Sequence, residues 1–185
     1  DASLKTCMAR VFSAIHIEDE KVLEEMENVR DTMDLGFSKV PREKFHVTLQ
    51  FFEDINQEQI RKVKNTLENI ETGSFEAEIR GVGAFPSEDY IRVVWAGMKS
   101  HKVFDLQKQA KVHDVPSENH HEFKPHCTFL RVDDVSSERK KKLQRSIHEF
   151  KDHSFGKIEV DKVKLFESEL TPEGSKYRVL SEIDL

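Results

Sequence analysis

The stretch Phe45-His46-Val47-Thr48-Leu49 has a near copy 80 residues further on (126 − 46), Pro125-His126-Cys127-Thr128-Phe129. Reading both as strands decides the fold. Successive side chains on a strand point to opposite faces. His46 and Thr48 therefore share one face, while Val47 and Leu49 share the other. The second copy puts Cys127 and Phe129 on its apolar side in the same way. Each strand can bury one face in a core and offer an imidazole and a hydroxyl on the other.

Outward from these strands, residues 10–17 (RVFSAIHI) alternate and are rich in β-formers, which predicts a strand with His16 as a half-exposed histidine near its end. Val22, Leu23, Met26, Val29 and Met33 follow an acidic start at helical spacing, and Gly36 closes that segment. A short strand is expected over 37–40. Asn56 and Gln59 form a capping box ahead of the stripe Ile60, Val63, Leu67 and Ile70. Strands are expected over 75–85 and 90–98, a helix over 101–112 and a polar loop over 114–122. Ser136 caps a further helix carrying Leu143, Ile147 and Phe150. One strand is expected over 155–169, a turn over 170–174 and a closing strand over 177–185. The order, roughly four helices and eight strands, predicts an α+β fold. It suggests two pseudo-symmetric lobes, each half of the chain building a small, mostly antiparallel sheet with flanking helices and one His-Thr strand, facing each other across a central cleft.

At 185 residues the chain suits a single bilobal domain that needs no disulfide or metal to bury a core. It is 37% apolar and 35% charged, with no apolar run of about 18 residues, so a membrane span is not expected. Residues 1–7 are polar and irregular, and are expected to be an appended remnant, with the domain running over 8–185. The expectation is a cytoplasmic monomer. Cys7 and Cys127 have neither disulfide nor zinc spacing. A net charge of −6 argues against broad nucleic-acid binding but leaves room for a local basic pocket.

Two imidazoles facing one site make an acid–base pair. Histidine's ordinary pKa, about 6.5, lets one be neutral and the other protonated near neutral pH. Threonine hydroxyls can donate to phosphate oxygens, which suits in-line displacement at a cyclic phosphodiester with no metal and no cofactor. A metal site is the sharper rival, because His113, His120, His121 and His126 cluster in sequence. No Cys accompanies them, and Glu118 and Glu122 show no helical ligand spacing. No Gly-x-Ser-x-Gly elbow is present, and Gly81-Val82-Gly83 lacks the rest of a phosphate loop. Arg139-Lys140-Lys141-Lys142 with Arg145 reads as a solvated helix face.

Together these residues resemble the two-histidine (2H) phosphoesterase superfamily, and within it the RNA 2',3'-cyclic phosphodiesterases, also called 2'-5' RNA ligases. The resemblance rests on the paired His-x-Thr motifs, Arg10-Val11-Phe12, Gly81-Val82-Gly83-Ala84-Phe85-Pro86, Ile91-Arg92-Val93-Val94-Trp95 and Leu170-Thr171-Pro172-Glu173-Gly174 before Tyr177. It implies a bilobal fold and metal- and ATP-independent opening of RNA 2',3'-cyclic phosphate ends, those of tRNA fragments among them, to 2'-phosphates. The reverse reaction would join such ends to 5'-hydroxyl RNA. It implies His46 as the acid on the leaving 3'-oxygen, His126 as the base on water, and Thr48 and Thr128 on the phosphate. Arg131 matches a family arginine near the phosphate, although strict alternation from His126 puts it on the opposite face unless a bulge intervenes. Phe12 matches an aromatic that could stack on a base, with packing in the core as the equal reading. Lys39 and Glu53 depart from the Trp and Gly common among relatives. A non-catalytic nucleotide-binding module and a phosphodiesterase for a small cyclic nucleotide are the alternative readings.

Overall fold

Both His-Thr stretches are strands with the alternation their sequences dictate. In the computed structural model, which describes residues 7–33, 35–118 and 121–185, Val47, Leu49, Cys127 and Phe129 are at most 1% exposed, while His46, Thr48, His126 and Thr128 remain partly open. In chain order the elements are β1 (Ala9–His16), α1 (Glu20–Thr32), β2 (Ser38–Lys39), a 3-10 turn (Arg42–Lys44), β3 (His46–Ile55), α2 (Gln57–Glu68) and β4 (Phe75–Pro86). There follow β5 (Ile91–Lys99), α3 (His101–Ala110), β6 (His126–Arg131), α4 (Ser137–Glu149), β7 (Ser154–Val160), β8 (Lys162–Thr171) and β9 (Gly174–Asp184).

The helices begin where side chains can satisfy their free N–H groups. Asp19 accepts from the Val22 amide at 3.0 Å. Asn56 and Gln59 close the expected capping box with two bonds of 2.9 Å. Ser100 and Ser136 cap α3 and α4. On α4 the basic run is largely solvated, except that Arg139 donates to the Leu35 carbonyl and lies 4.6 Å over the Phe37 ring. No helix among the described residues is long and apolar enough to cross a membrane.

All strand pairings are antiparallel, in two sheets ordered β3-β1-β8-β9 and β2-β6-β5-β4-β7. The lobes are therefore not the consecutive halves of the chain. The closing hairpin β8-β9 joins β1, and β4 joins the sheet of β6. The helices are exchanged as well. α1 leaves the first sheet to pack on β6 and β7 of the second, whereas α3 leaves the second to pack on β3 of the first. This exchange stitches the lobes together, and one cluster of buried apolar side chains runs through both.

The region expected as one strand over 155–169 is two strands in different sheets. β7 ends at Val160, Asp161 crosses over, and β8 starts at Lys162; the Asp161 carbonyl accepts the Leu185 amide at 2.9 Å. No glycine or proline marks the crossing and valines flank it, so the pattern reads straight through. The expectation for residues 1–7 falls, apart from Cys7, outside the described residues.

Gly83 and Trp95 pair across β4 and β5, and the indole lies flat over the glycine. A Cβ at residue 83 would sit 2.3 Å from Trp95 Cζ2, far inside van der Waals contact. Gly83→Ala is therefore expected to destabilise the fold by about 1–3 kcal/mol, as overpacking does. Because Trp95 is the one tryptophan, its emission should shift together with the urea midpoint. An unchanged midpoint and spectrum would mean that the indole is not held there.

Candidate functional site

Strands β3 and β6 lie together where the two sheets meet, with the Cys127 thiol against the His46 backbone. Their polar faces line one cavity of about 240 Å³. His46, Thr48, His126, Thr128, Arg131 and Phe12 all line it. For Arg131 the reason is a bulge. Thr128 pairs with Trp95 and Leu130 with Val94, so Phe129 has no partner of its own and the alternation resets. Phe129 and Leu130 are both buried, and Arg131 returns to the cleft. β3 carries the same device: Thr48 pairs with Ala14 and Gln50 with Ser13, skipping Leu49. Phe51, five residues after His46, consequently enters the cavity as Arg131 does five residues after His126.

Each imidazole is tied down twice. His46 Nδ1–H donates to the Lys44 carbonyl at 2.7 Å, and His126 Nδ1–H to the Lys124 carbonyl at 2.5 Å. This sets the tautomer and leaves each Nε2 with no protein partner among the described residues. Each ring also rests on aromatics from the next two strands of its sheet. His46 meets Phe12 on β1 at 4.9 Å and Phe166 on β8 at 6.5 Å. His126 meets Trp95 on β5 at 6.0 Å and Phe85 on β4 at 4.8 Å. Phe12 is only 2% exposed, enclosed by Phe51, Phe166, Tyr177 and His46. It forms the floor beneath His46.

His16 lies opposite His46 in the β1–β3 register. Its Nε2–H donates to the Glu43 carbonyl at 2.9 Å, and Lys164 donates to its Nδ1 at 3.2 Å and to Glu18 at 2.7 Å. That bond anchors the 3-10 turn whose last residue, Lys44, holds His46. The Glu18 carboxyl is held below its ordinary pKa, chiefly by the Lys164 hydrogen bond.

Burial governs the titration of both cleft histidines. Desolvation pushes His46 down to about 4, with the Lys44 carbonyl opposing it and the charges of His16, Arg131 and His126 adding to it. Desolvation also lowers His126. Both rings are thus neutral at pH 7 in the empty cleft. The neutral-plus-protonated pair expected from free histidine needs an anion between them. The cavity is built for one: Arg10, Lys44 and Arg131 line it and, among the described residues, no carboxylate does, although the chain as a whole carries −6. Among the described residues the Thr48 and Thr128 hydroxyls and the Arg131 guanidinium have no hydrogen-bond partner, and Arg131 no ion pair. Burial pushes the Cys127 thiol up to about 12, which removes it as a nucleophile.

Other expectations resolve more simply. Among the described residues no three potential metal ligands gather; His120 lies outside them. Lys39 pairs with Asp31 at 3.2 Å, and Glu53 stands 3.9 Å from Arg10 at the rim. Seven cavity residues received no role from the sequence: Arg10, Val40, Lys44, Phe51, Ser168, Ser175 and Tyr177. Lys44 had a legible signal, since the repeat extends to Lys-x-His-x-Thr in both copies. Tyr177 arrives from β9 and only the sheet order brings it to His46, at 5.7 Å between ring centroids.

A family model described as LigT-like phosphoesterase matches this chain twice, over residues 17–95 and 100–177. The chain is 34% identical over 176 residues to the RNA 2',3'-cyclic phosphodiesterase of Methanothermobacter thermautotrophicus, covering 91% of this chain and 94% of that protein. It is 31% identical to the protein of that name from Methanocaldococcus jannaschii, covering 94% and 99%. In fold it is similar to TT0787 of Thermus thermophilus, with a TM-score of 0.78, 24% identity and 95% and 97% coverage. Escherichia coli LigT complexed with 3'-AMP gives 0.76 at 20% identity, covering 97% and 99%.

The depressed titration of His46 has a thermodynamic consequence. Between pH 6.5 and about 4 the folded state binds fewer protons at this ring than the unfolded chain does. Stability therefore rises with pH across that window and is complete above it. His46→Gln is expected to flatten the urea-derived stability profile over this range by on the order of 2 kcal/mol. Parallel profiles for the two proteins would contradict the assignment.

Proposed function

Because the chain belongs to the LigT-like phosphoesterases, we propose that it opens the 2',3'-cyclic phosphate ends of RNA to 2'-phosphates without metal or ATP. When a 5'-hydroxyl takes the place of water, the same site joins the two ends through a 2'-5' linkage. The observation that carries this reading is the pair of imidazoles, each fixed at Nδ1 and, among the described residues, unpartnered at Nε2, on one cavity lined by Arg10, Lys44 and Arg131.

In this mechanism the phosphate sits between Thr48 and Thr128, whose free hydroxyls donate to its non-bridging oxygens, with Arg131 beside them. Its charge favours the imidazolium and so raises the pKa of the ring that acts as acid. Neutral His126 takes a proton from water as the water oxygen bonds to phosphorus. The bond from phosphorus to the 3'-oxygen breaks, and His46 gives its Nε2 proton to that oxygen. The Lys44 carbonyl, accepting from Nδ1, stabilises His46 while it is charged. The cationic lining offsets the charge gathering on the phosphoryl oxygens.

Hydrolysis of a 2',3'-cyclic-phosphate RNA oligonucleotide tests this directly. In excess EDTA the wild type should retain its rate and leave a 2'-phosphate, while His46→Ala and His126→Ala each lose about 10²–10⁴-fold in kcat. Abolition by EDTA would replace the two-histidine mechanism with a metal-dependent one. Binding without turnover would leave a reader of RNA ends.

The pH dependence follows from the same shifts. Both histidines titrate below 6.5 in the free protein, so kcat/KM should trace a bell whose maximum lies on the acid side of 6.5. Bound phosphate should move the corresponding kcat bell upward. A kcat/KM profile flat from pH 4 to 8 would exclude paired histidine catalysis.

A further inference from the structure

The reaction cavity does not end at His126. On the far side of that ring the surface continues as a trough of two chambers of about 660 and 650 Å³. The first is walled by His126, Phe85, Pro86 and His121, and the second by Trp95, Lys99, His101, Phe104 and Phe123. Lys124 and Glu122 line both chambers and join them. Phe104 is 44% exposed, with its ring edge-to-face against Phe123 at 5.7 Å. Lys99 and Lys124 form no ion pair among the described residues. Among the described residues Glu122 is the one carboxylate of the trough.

We propose that this trough holds single-stranded RNA upstream of the cyclic end, with a base on Phe104 and backbone phosphates at Lys99 and Lys124. This rests on the RNA reading of the central site. The central cavity, about 240 Å³, has room for the reacting phosphate and its ribose and little else. The rest of an RNA must leave through an adjoining surface, and the trough shares His126 as its wall. Open aromatic faces interleaved with unpaired lysines are what sequence-tolerant binding of single strands requires. In hydrolysis water fills the nucleophile's place, so the upstream strand is the polymer the reaction must accommodate.

The test compares a 2',3'-cyclic mononucleotide with an RNA decamer ending in the same cyclic phosphate, for wild type, Phe104→Ala and Lys99→Ala. Both residues are exposed and outside the reaction cavity, so mononucleotide hydrolysis should be unchanged. On the decamer, Phe104→Ala should lower kcat/KM about 5- to 100-fold, the range for one base stack. Lys99→Ala should reduce the log–log salt dependence of decamer binding by about 0.7, the contribution of one phosphate contact on a single strand. Equal losses on both substrates, or no loss on either, would overturn the proposal. So would a loss confined to joining with a 5'-hydroxyl strand, which would assign the trough to the second RNA. If the wild type hydrolyses neither substrate, the catalytic reading fails separately. Fluorescence anisotropy of a labelled decamer ending in a 2'-phosphate then decides the trough, which stands if Phe104→Ala weakens binding and falls if it does not.

Discussion

The whole arrangement depends on two strands that must bury one face and keep the other open. Val47 and Leu49 on β3 and Cys127 and Phe129 on β6 are sealed in a core common to both lobes. Period-2 alternation then forces His46, Thr48, His126 and Thr128 onto the opposite side. A register slip of one residue in either strand would send its histidine into the core and its apolar residues into the cleft. The catalytic face is thus guarded by the same apolar burial that stabilises the fold.

Onto this frame the molecule adds the same fittings twice. In each copy a lysine carbonyl two residues earlier fixes the imidazole, two aromatics from the neighbouring strands support it, and a bulge one residue past the threonine turns the side chain three residues past that threonine into the cavity. The copies differ in what the bulge delivers, Phe51 on one side and Arg131 on the other. That difference makes the cavity asymmetric: one wall carries a guanidinium, the other an aromatic cluster with Tyr177. A symmetric scaffold can then place chemically unequal surroundings about two similar histidines.

Electrostatics completes the site by contrast with its surroundings. An acidic chain keeps Arg10, Lys44 and Arg131 together with no carboxylate of the described residues in the cavity wall. Dry surroundings hold both imidazoles neutral until an anion enters. In the proposed mechanism a bound phosphate would raise the pKa of its own acid, coupling occupancy to the protonation state the reaction needs.

Much of this was legible in the chain. Capping side chains, helical stripes and the repeated His-x-Thr alternation act over a few residues, so Asp19, the Asn56–Gln59 box and the polar face of both motifs follow from local rules. The crossing at Asp161 was not legible, because flanking valines satisfy a strand in either sheet. Nor was the exchange of α1 and α3 between lobes, since an amphipathic helix specifies that it must be covered and not by which sheet. Nor was the burial of Phe12 under Phe51, Phe166 and Tyr177, a property of three other strands. Arg131 reached the cleft through a bulge set by pairing with β5. By itself the sequence determined that His46 and Thr48, and likewise His126 and Thr128, share the polar face of their strands, because strand alternation is local. Tertiary structure alone decided which of them meet and how they titrate, because sheet order, register and desolvation arise from contacts between segments distant in the chain.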